Sequence, residues 1–277
     1  MNRTARRLTA TAATAALVAS LTATLAASPA SAGNGAAFVQ ADPGGPYVVA
    51  RDVTFDGSRS RINRYVVNQD ALTWSQARGA AASYPLSNCT SAHLATVTSQ
   101  REQDAIHGGL GNAIAFKWLG GYKNGGWQWV TGEPWSYVNW QPGEPSGDGR
   151  AVHVGGGGVS TPSGWEYDGK WNDTPMSGAA RSLVEREDCA DGRFDWDFGD
   201  GQVALNTGPT PTHSYRKAGT YNACLKLTDT ATGAAHRSCA KVTVSKAACK
   251  KASWKDLGFR NQGQCVRYVN TGKDSRD

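Results

Sequence analysis

Two stretches of apolar–polar alternation lie far apart in this chain, and neither is long enough to make a sheet by itself. The first is Val53-Thr54-Phe55, followed by Asp56-Gly57-Ser58 and preceded by the turn cluster Pro43-Gly44-Gly45-Pro46. The second begins at Phe194, Trp196 and Phe198, runs into the hairpin signal Asp200-Gly201, and continues through Thr212–Tyr215, Ala218–Tyr221, Cys224–Leu227 and Val242–Val244. About 130 residues of different character separate them. Taken together, residues 38–60 and 190–245 add up to one β-sandwich of ordinary size. The alternative, a truncated strand pair followed by two separate domains, leaves unpaired sheet edges on both sides. The pattern therefore predicts an excursion over 61–189 that leaves and re-enters one sandwich at the loop after Ser60. That requires the ends of the excursion to lie close together.

The excursion is rich in tryptophan. Eight of the chain's 10 tryptophans fall between residues 64 and 187, and the chain holds 33 glycines with only 19% charged residues. This composition excludes a coiled coil and a disordered chain, and predicts short strands with many turns. Two helices are signalled by capping boxes, Thr73…Gln76 and Ser99…Glu102, the first running through Ala82 and the second to about His107.

Residues 1–32 have the order of a secretory signal: Arg3, Arg6 and Arg7, an Ala/Thr/Leu stretch from Leu8 to about Ala27, then Ala30-Ser31-Ala32 before Gly33. No apolar run reaches the roughly 20 residues of a membrane span. The formal charge of +6 falls to +3 without the three signal arginines. Residues 246–277 hold 8 basic and 3 acidic groups, which leaves 18 against 20 for residues 33–245. A nearly neutral body argues against a nucleic-acid partner.

The 6 cysteines contain no C-x-x-C pair, so in an exported chain they point to disulfides rather than a metal. Cys224 and Cys239 flank the turn Ala231-Thr232-Gly233 symmetrically, Cys249 and Cys265 bracket the basic tail, and Cys89 and Cys189 remain as a pair by elimination. No H-E-x-x-H, G-x-S-x-G or P-loop pattern occurs, and the row Asp195, Asp197, Asp200 reads as turn and strand-edge hydrogen bonding. An enzyme is not expected. His93 and His213 sit inside fold motifs, where structural roles are expected.

Two resemblances organise these observations. GGPYVV and VTFDGSRS, with WDFGDG, HSY, GTY and LKLTD, are similar to the two halves of a PKD domain, a small immunoglobulin-like sandwich. LTWSQA, HLATV, WLGG, WQWVTGE, WQPGEPS, WND and LVE, in that order, resemble a C-type lectin-like domain across the whole excursion. The implied architecture is mainly β with an α+β insert. Residues 1–32 are the signal, 33–60 the first PKD half, 61–189 the lectin-like domain, 190–245 the second PKD half, and 246–277 a small disulfide-closed tail of the kind that ends secreted bacterial proteins. Positions where animal members carry cysteines hold Ala81, Ala151, Met176 and Val184, which are expected to pack as core, as in bacterial-type members.

In sugar-binding members of the lectin family, Ca²⁺ in the long loop bonds two sugar hydroxyls. The resemblance places its ligands at Glu144, Asn172 and Asp173, with Pro145 as the cis residue. Ser146 stands where the family has an amide or carboxylate, and Gly149 stands near the place of a further glutamate. Asp148 substitutes only if the loop moves. Trp140 and Trp165, near the loop with Trp135, are candidates for stacking on sugar rings. The implied function is secreted, non-catalytic recognition of a glycan, with Ca²⁺ as the candidate cofactor. The alternative is recognition of a cell-surface protein on a metal-free lectin-like fold. The basic tail is a candidate contact for anionic wall polymers.

Overall fold

The computed structural model describes residues 35–162, 164–250 and 253–276, apart from the side chains of Val159 and Trp165. The expected signal, residues 1–32, lies outside them. The chain opens with four strands: β1 (Ala36–Gln40), β2 (Tyr47–Val49), β3 (Asp52–Thr54) and β4 (Arg61–Leu72). The helix α1 (Trp74–Ala82), β5 (Ser91–Leu94), α2 (Gln100–Leu110), β6 (Lys117–Asn124) and β7 (Gly126–Trp129) come after them. Five more strands come next: β8 (Ala151–Val154), β9 (Gly158–Thr161), β10 (Gly164–Tyr167), β11 (Trp171–Thr174) and β12 (Ala180–Glu187). Then come β13 (Gly192–Asp197), β14 (Val203–Leu205), β15 (Thr212–Ser214), β16 (Gly219–Asp229) and β17 (Ala235–Val244), and the tail carries α3 (Ser253–Asp256) and α4 (Gln262–Thr271).

Residues near the start of the chain pack with residues near its end. β2 runs parallel to β17, so one sheet has the order β14-β13-β16-β17-β2, while β3 pairs antiparallel with β15. Between these sheets Val53, Phe55, Trp196, Phe198, Tyr215, Leu225 and Val242 form one core. Phe55 is 0% exposed, with its ring 5.0 Å from Trp196 and 5.4 Å from Phe198. The carboxylates after Trp196 serve the turn: Asp197 accepts from the Gly199 amide at 3.0 Å, and Asp200 accepts from the Gln202 amide at 3.1 Å. Asp200 also holds His213 at 2.9 Å, so that histidine is structural. Cys224 and Cys239 face each other in register across β16 and β17 and are bonded.

The larger sheet runs β1-β4-β12-β6-β8-β11, with β5 added to β12 and β7 to β6. Both helices start where the capping signals put them: Gln76 accepts from the Thr73 amide at 3.1 Å, and Ser99 accepts from the Glu102 amide at 3.2 Å, but the second box closes only by half, because the Glu102 carboxylate takes the Thr98 amide at 2.7 Å. α2 extends past His107 to Leu110, through Gly108 and Gly109. Gly109 allows close packing, since a Cβ there would lie 2.5 Å from the Ala36 Cβ of β1. Ala81, Ala151 and Val184 share one buried cluster with Met176 against it. Apolar packing thus fills the place of the absent staples.

β1 departs from the sequence expectation. Placed with the first sandwich half, it instead hydrogen-bonds antiparallel to β4, from Ala36 opposite Tyr65 to Gln40 opposite Arg61. Its alternation serves two interiors: Ala37 and Val39 enter the core around Phe55, and Ala36 and Phe38 enter the core around Trp171. The exit and return of the 61–189 stretch are also tied. The Cys189 amide donates to the Ile62 carbonyl at 2.8 Å, and Cys89 is bonded to Cys189. Arg64 on β4 reaches Asp229 at the end of β16 (2.5 Å) and Asp191 (2.9 Å).

Inside the larger sheet lies a buried carboxylate pair. Tyr65 Oη donates to Glu102 at 2.6 Å and lies 3.1 Å from Glu185. Glu185 also accepts from Asn63 at 2.7 Å and from the Thr96 amide at 3.0 Å. Burial, then the Glu102 charge, push the Glu185 carboxyl up to about 7. His93 stands opposite Glu185 on β5. Burial alone would lower its pKa, but the Glu187 carboxylate 3.4 Å away and the Glu185 charge outweigh it and raise His93 to about 9.

Two stability measurements test this packing. Phe55→Ala empties the centre of the shared core and is expected to cost about 3–5 kcal/mol, read as a lower denaturant midpoint of the whole chain. For pH, both shifts act in one direction. The folded chain holds protons on Glu185 between its ordinary 4.5 and about 7, and on His93 between 6.5 and about 9, that the unfolded chain has released. Thermal stability should therefore fall as pH rises through these ranges, and Glu185→Gln should flatten the lower part of the curve.

Candidate functional site

The loop between β7 and β8 is laid along β11. The Trp171 amide donates to the Asn139 carbonyl at 2.7 Å, and the Gln141 amide donates to the Trp171 carbonyl at 2.9 Å. Alternation on β11 buries Trp171 and Asp173, while Asn172 stays half-buried opposite His153 of β8. Trp171 is anchored by its indole nitrogen on Gln103 at 3.1 Å. The Glu144–Pro145 peptide is cis, as the resemblance implies.

Asp173 organises the 146–149 turn. Its Oδ1 accepts from the Ser146 amide at 2.8 Å and lies 3.4 Å from the Ser146 hydroxyl. Its Oδ2 accepts from the Gly147 amide at 3.0 Å and the Gly149 amide at 3.2 Å. Burial would raise this carboxyl, but the hydrogen bonds from the loop hold it below its ordinary value. Asp173 is 1% exposed, and the backbone amides around it keep it charged despite that burial. Glu144 adds a second acceptor for the Ser146 amide, at 2.8 Å.

These residues do not fit Ca²⁺ as the loop stands. The ion needs six to eight oxygens, and both oxygens of Asp173 already take hydrogen bonds. At Gly149, where a further acid would stand, any Cβ would meet the Thr174 backbone at 2.2 Å. Asp148 is exposed and takes no part in holding Asp173, and Ser146 serves the loop through its amide. Among the described residues no group of three or more His, Cys, Asp or Glu is placed to hold a metal. Among the described residues the buried Asn172 Oδ1 has no hydrogen-bond partner, and neither do His153 Nδ1 and Gln141 Nε2 nearby. Burial pushes His153 below its ordinary value, so it is neutral there.

The aromatic candidates divide. Trp140 is half-buried, its ring 5.0 Å from Trp127 and 5.8 Å from Trp171, so most of its surface serves the core. Trp135 lies 4.4 Å from Trp129. Trp165 is on β10, and its side chain lies outside the described residues. The sequence reading missed Gln141 and His153. The place of His153 on β8, directly across from Asn172, was the only signal, and it depends on a pairing the sequence does not print.

Residues 71–182 match the family model of the lectin C-type domain, and residues 180–244 match that of the PKD domain. The C-type mannose receptor 2 of Homo sapiens is 44% identical over 57 residues, which is 20% of this chain and 4% of that protein. Its Mus musculus counterpart is 35% identical over 80 residues, 28% of this chain and 5% of that protein. The chain thus spans about a twentieth of the length of the curated relatives it matches.

The amide cradle has a direct test. Asp173→Asn removes one charged acceptor and should expose the Ser146, Gly147 and Gly149 amides to fast hydrogen exchange, at a cost of about 1–3 kcal/mol. Exchange of β4 and β12 amides should change little. With the fold, the loop geometry and the two family matches in agreement, the chain carries a C-type lectin domain and a PKD domain on a mainly β fold.

Proposed function

We propose that this chain is a secreted, non-catalytic recognition protein that binds carbohydrate through the 144–149 loop and the adjoining β11 of its lectin domain. The observation that carries this reading is the Asp173 cradle. It holds Glu144 and the cis Pro145 beside Asn172 in advance of any ligand, which lowers the ordering cost of binding. The lectin C-type match over this region and the similarity to proteins named as mannose receptors support a sugar as the ligand. Export by residues 1–32 is supported by the order of basic, apolar and small residues, and by three disulfides in the folded chain.

The proposed layout is an interrupted sandwich: 33–60 and 190–245 as the PKD domain, with β1 also pairing to the larger sheet, 61–189 as the lectin-like insert, and 246–277 as the tail. The shared core of Phe55 and Trp196 and the hydrogen bond from Cys189 to Ile62 support it. Recognition of a cell-surface protein is the second reading, and the saturated Asp173 favours it over a sugar held through a cation, because it leaves no open coordination position there.

Titration calorimetry with mannose and N-acetylglucosamine, in Ca²⁺ and in chelator, separates these readings. Sugar binding that is indifferent to chelator and weakened by Glu144→Gln or Asn172→Ala is the expected result. Binding that appears only with Ca²⁺ would mean that Asp173 exchanges its amides for the ion. No sugar binding in either condition would leave the protein partner.

A further inference from the structure

Away from the lectin loop, the β3–β15 pair and the helix α4 enclose a cleft of about 720 Å³. Its inner wall is built on Arg51. This side chain is 9% exposed, donates through Nε to the Tyr268 carbonyl at 2.8 Å, and lies over the Tyr268 ring at 5.5 Å. Gly272 ends α4 in a left-handed conformation, and a Cβ there would come within 2.7 Å of Arg51 Nη1. The end of the helix is thus shaped around the guanidinium. Among the described residues no acceptor meets Nη1 or Nη2.

The acids in the same wall are already matched. Asp52 accepts from Ser214 (2.5 Å), Tyr268 (2.9 Å) and Arg276 (3.0 Å), and Asp200 nearby is held by His213 at 2.9 Å. The cations are not matched: Arg216 on the rim has no acidic partner among the described residues, and Lys217 lines the adjoining cleft beside it. Thr54, Thr212 and Gln202 add neutral hydrogen-bonding groups to the lining. A buried guanidinium with two free donors at the back of a polar cleft is a site for an oxyanion, which it meets with two parallel hydrogen bonds. The cleft has room for a sugar-sized body around that group.

We propose that this cleft binds a small polyhydroxylated ligand through a carboxylate or phosphate group, seated on Arg51 and steered by Arg216. The site is separate from the lectin loop and does not rest on the reading given to it.

The test titrates the full chain lacking residues 1–32 with glucuronate, glucose 6-phosphate, inorganic phosphate and, as the neutral control, glucose. Saturable binding of at least one anion is expected, with none for glucose at the same concentration. The response to glucuronate against glucose 6-phosphate identifies the acid group. Arg51→Gln should weaken binding by about tenfold or more, and the exposed Arg216→Gln by about threefold. Glu144→Gln, in the other site, should leave anion binding unchanged. If Arg51→Gln loosens α4, Arg216→Gln still decides, because that exposed side chain has no hydrogen-bond or ion-pair partner to lose among the described residues. Absence of saturable binding by every anion, equal binding of glucose, or anion affinity unaltered in Arg216→Gln and in the variant carrying both substitutions would overturn the proposal.

Discussion

Strand β1 is the constraint on which the rest depends. A strand offers two faces, and here both are buried in different interiors, Ala37 and Val39 in one and Ala36 and Phe38 in the other. Its backbone pairs with β4, so the same five residues join the edge of the larger sheet to the core of the smaller sandwich. Arg64 pairing with Asp229 adds a buried ion pair across that junction, with its charges matched on both sides. Two bodies joined in this way do not behave as beads on a linker.

The candidate site shows how a loop of this kind can be ordered by the chain alone. In a calcium-dependent arrangement, a cation draws acidic side chains together. Here one buried carboxylate draws backbone amides together, and the charge that would repel other acids is neutralised by N–H dipoles. Gly149 is essential to that geometry, because the loop passes against the Thr174 backbone.

Much of this was legible in the residues. Alternation at Val53/Phe55 and Phe194/Trp196/Phe198 pointed to one shared interior, the capping boxes set the starts of both helices, and the spacing of Cys224 and Cys239 gave a cross-strand pair. The lectin resemblance put Glu144, Pro145, Asn172 and Asp173 in one place. Other points were not legible. α2 runs on through Gly108 and Gly109 to Leu110, and at Gly109 β1 packs where a side chain would stand, a neighbour that a propensity reading cannot see. Trp140 reads as a ligand-facing aromatic from its motif, yet its ring lies against Trp127 and Trp171.

The elements and the available chemistry can be read along the chain: where strands alternate, where helices start, which cysteines exist, and that Glu144 precedes Pro145. These depend on local backbone preference and on the pattern of apolar residues along the chain. How those groups are used depends on the folded arrangement. Whether Asp173 faces a cation or three amides, whether β1 serves one core or two, and whether Arg51 lies against solvent or at the back of a cleft are set by residues distant in sequence. Hydrogen bonds and close packing act across space, and their partners are fixed only when the chain has closed on itself.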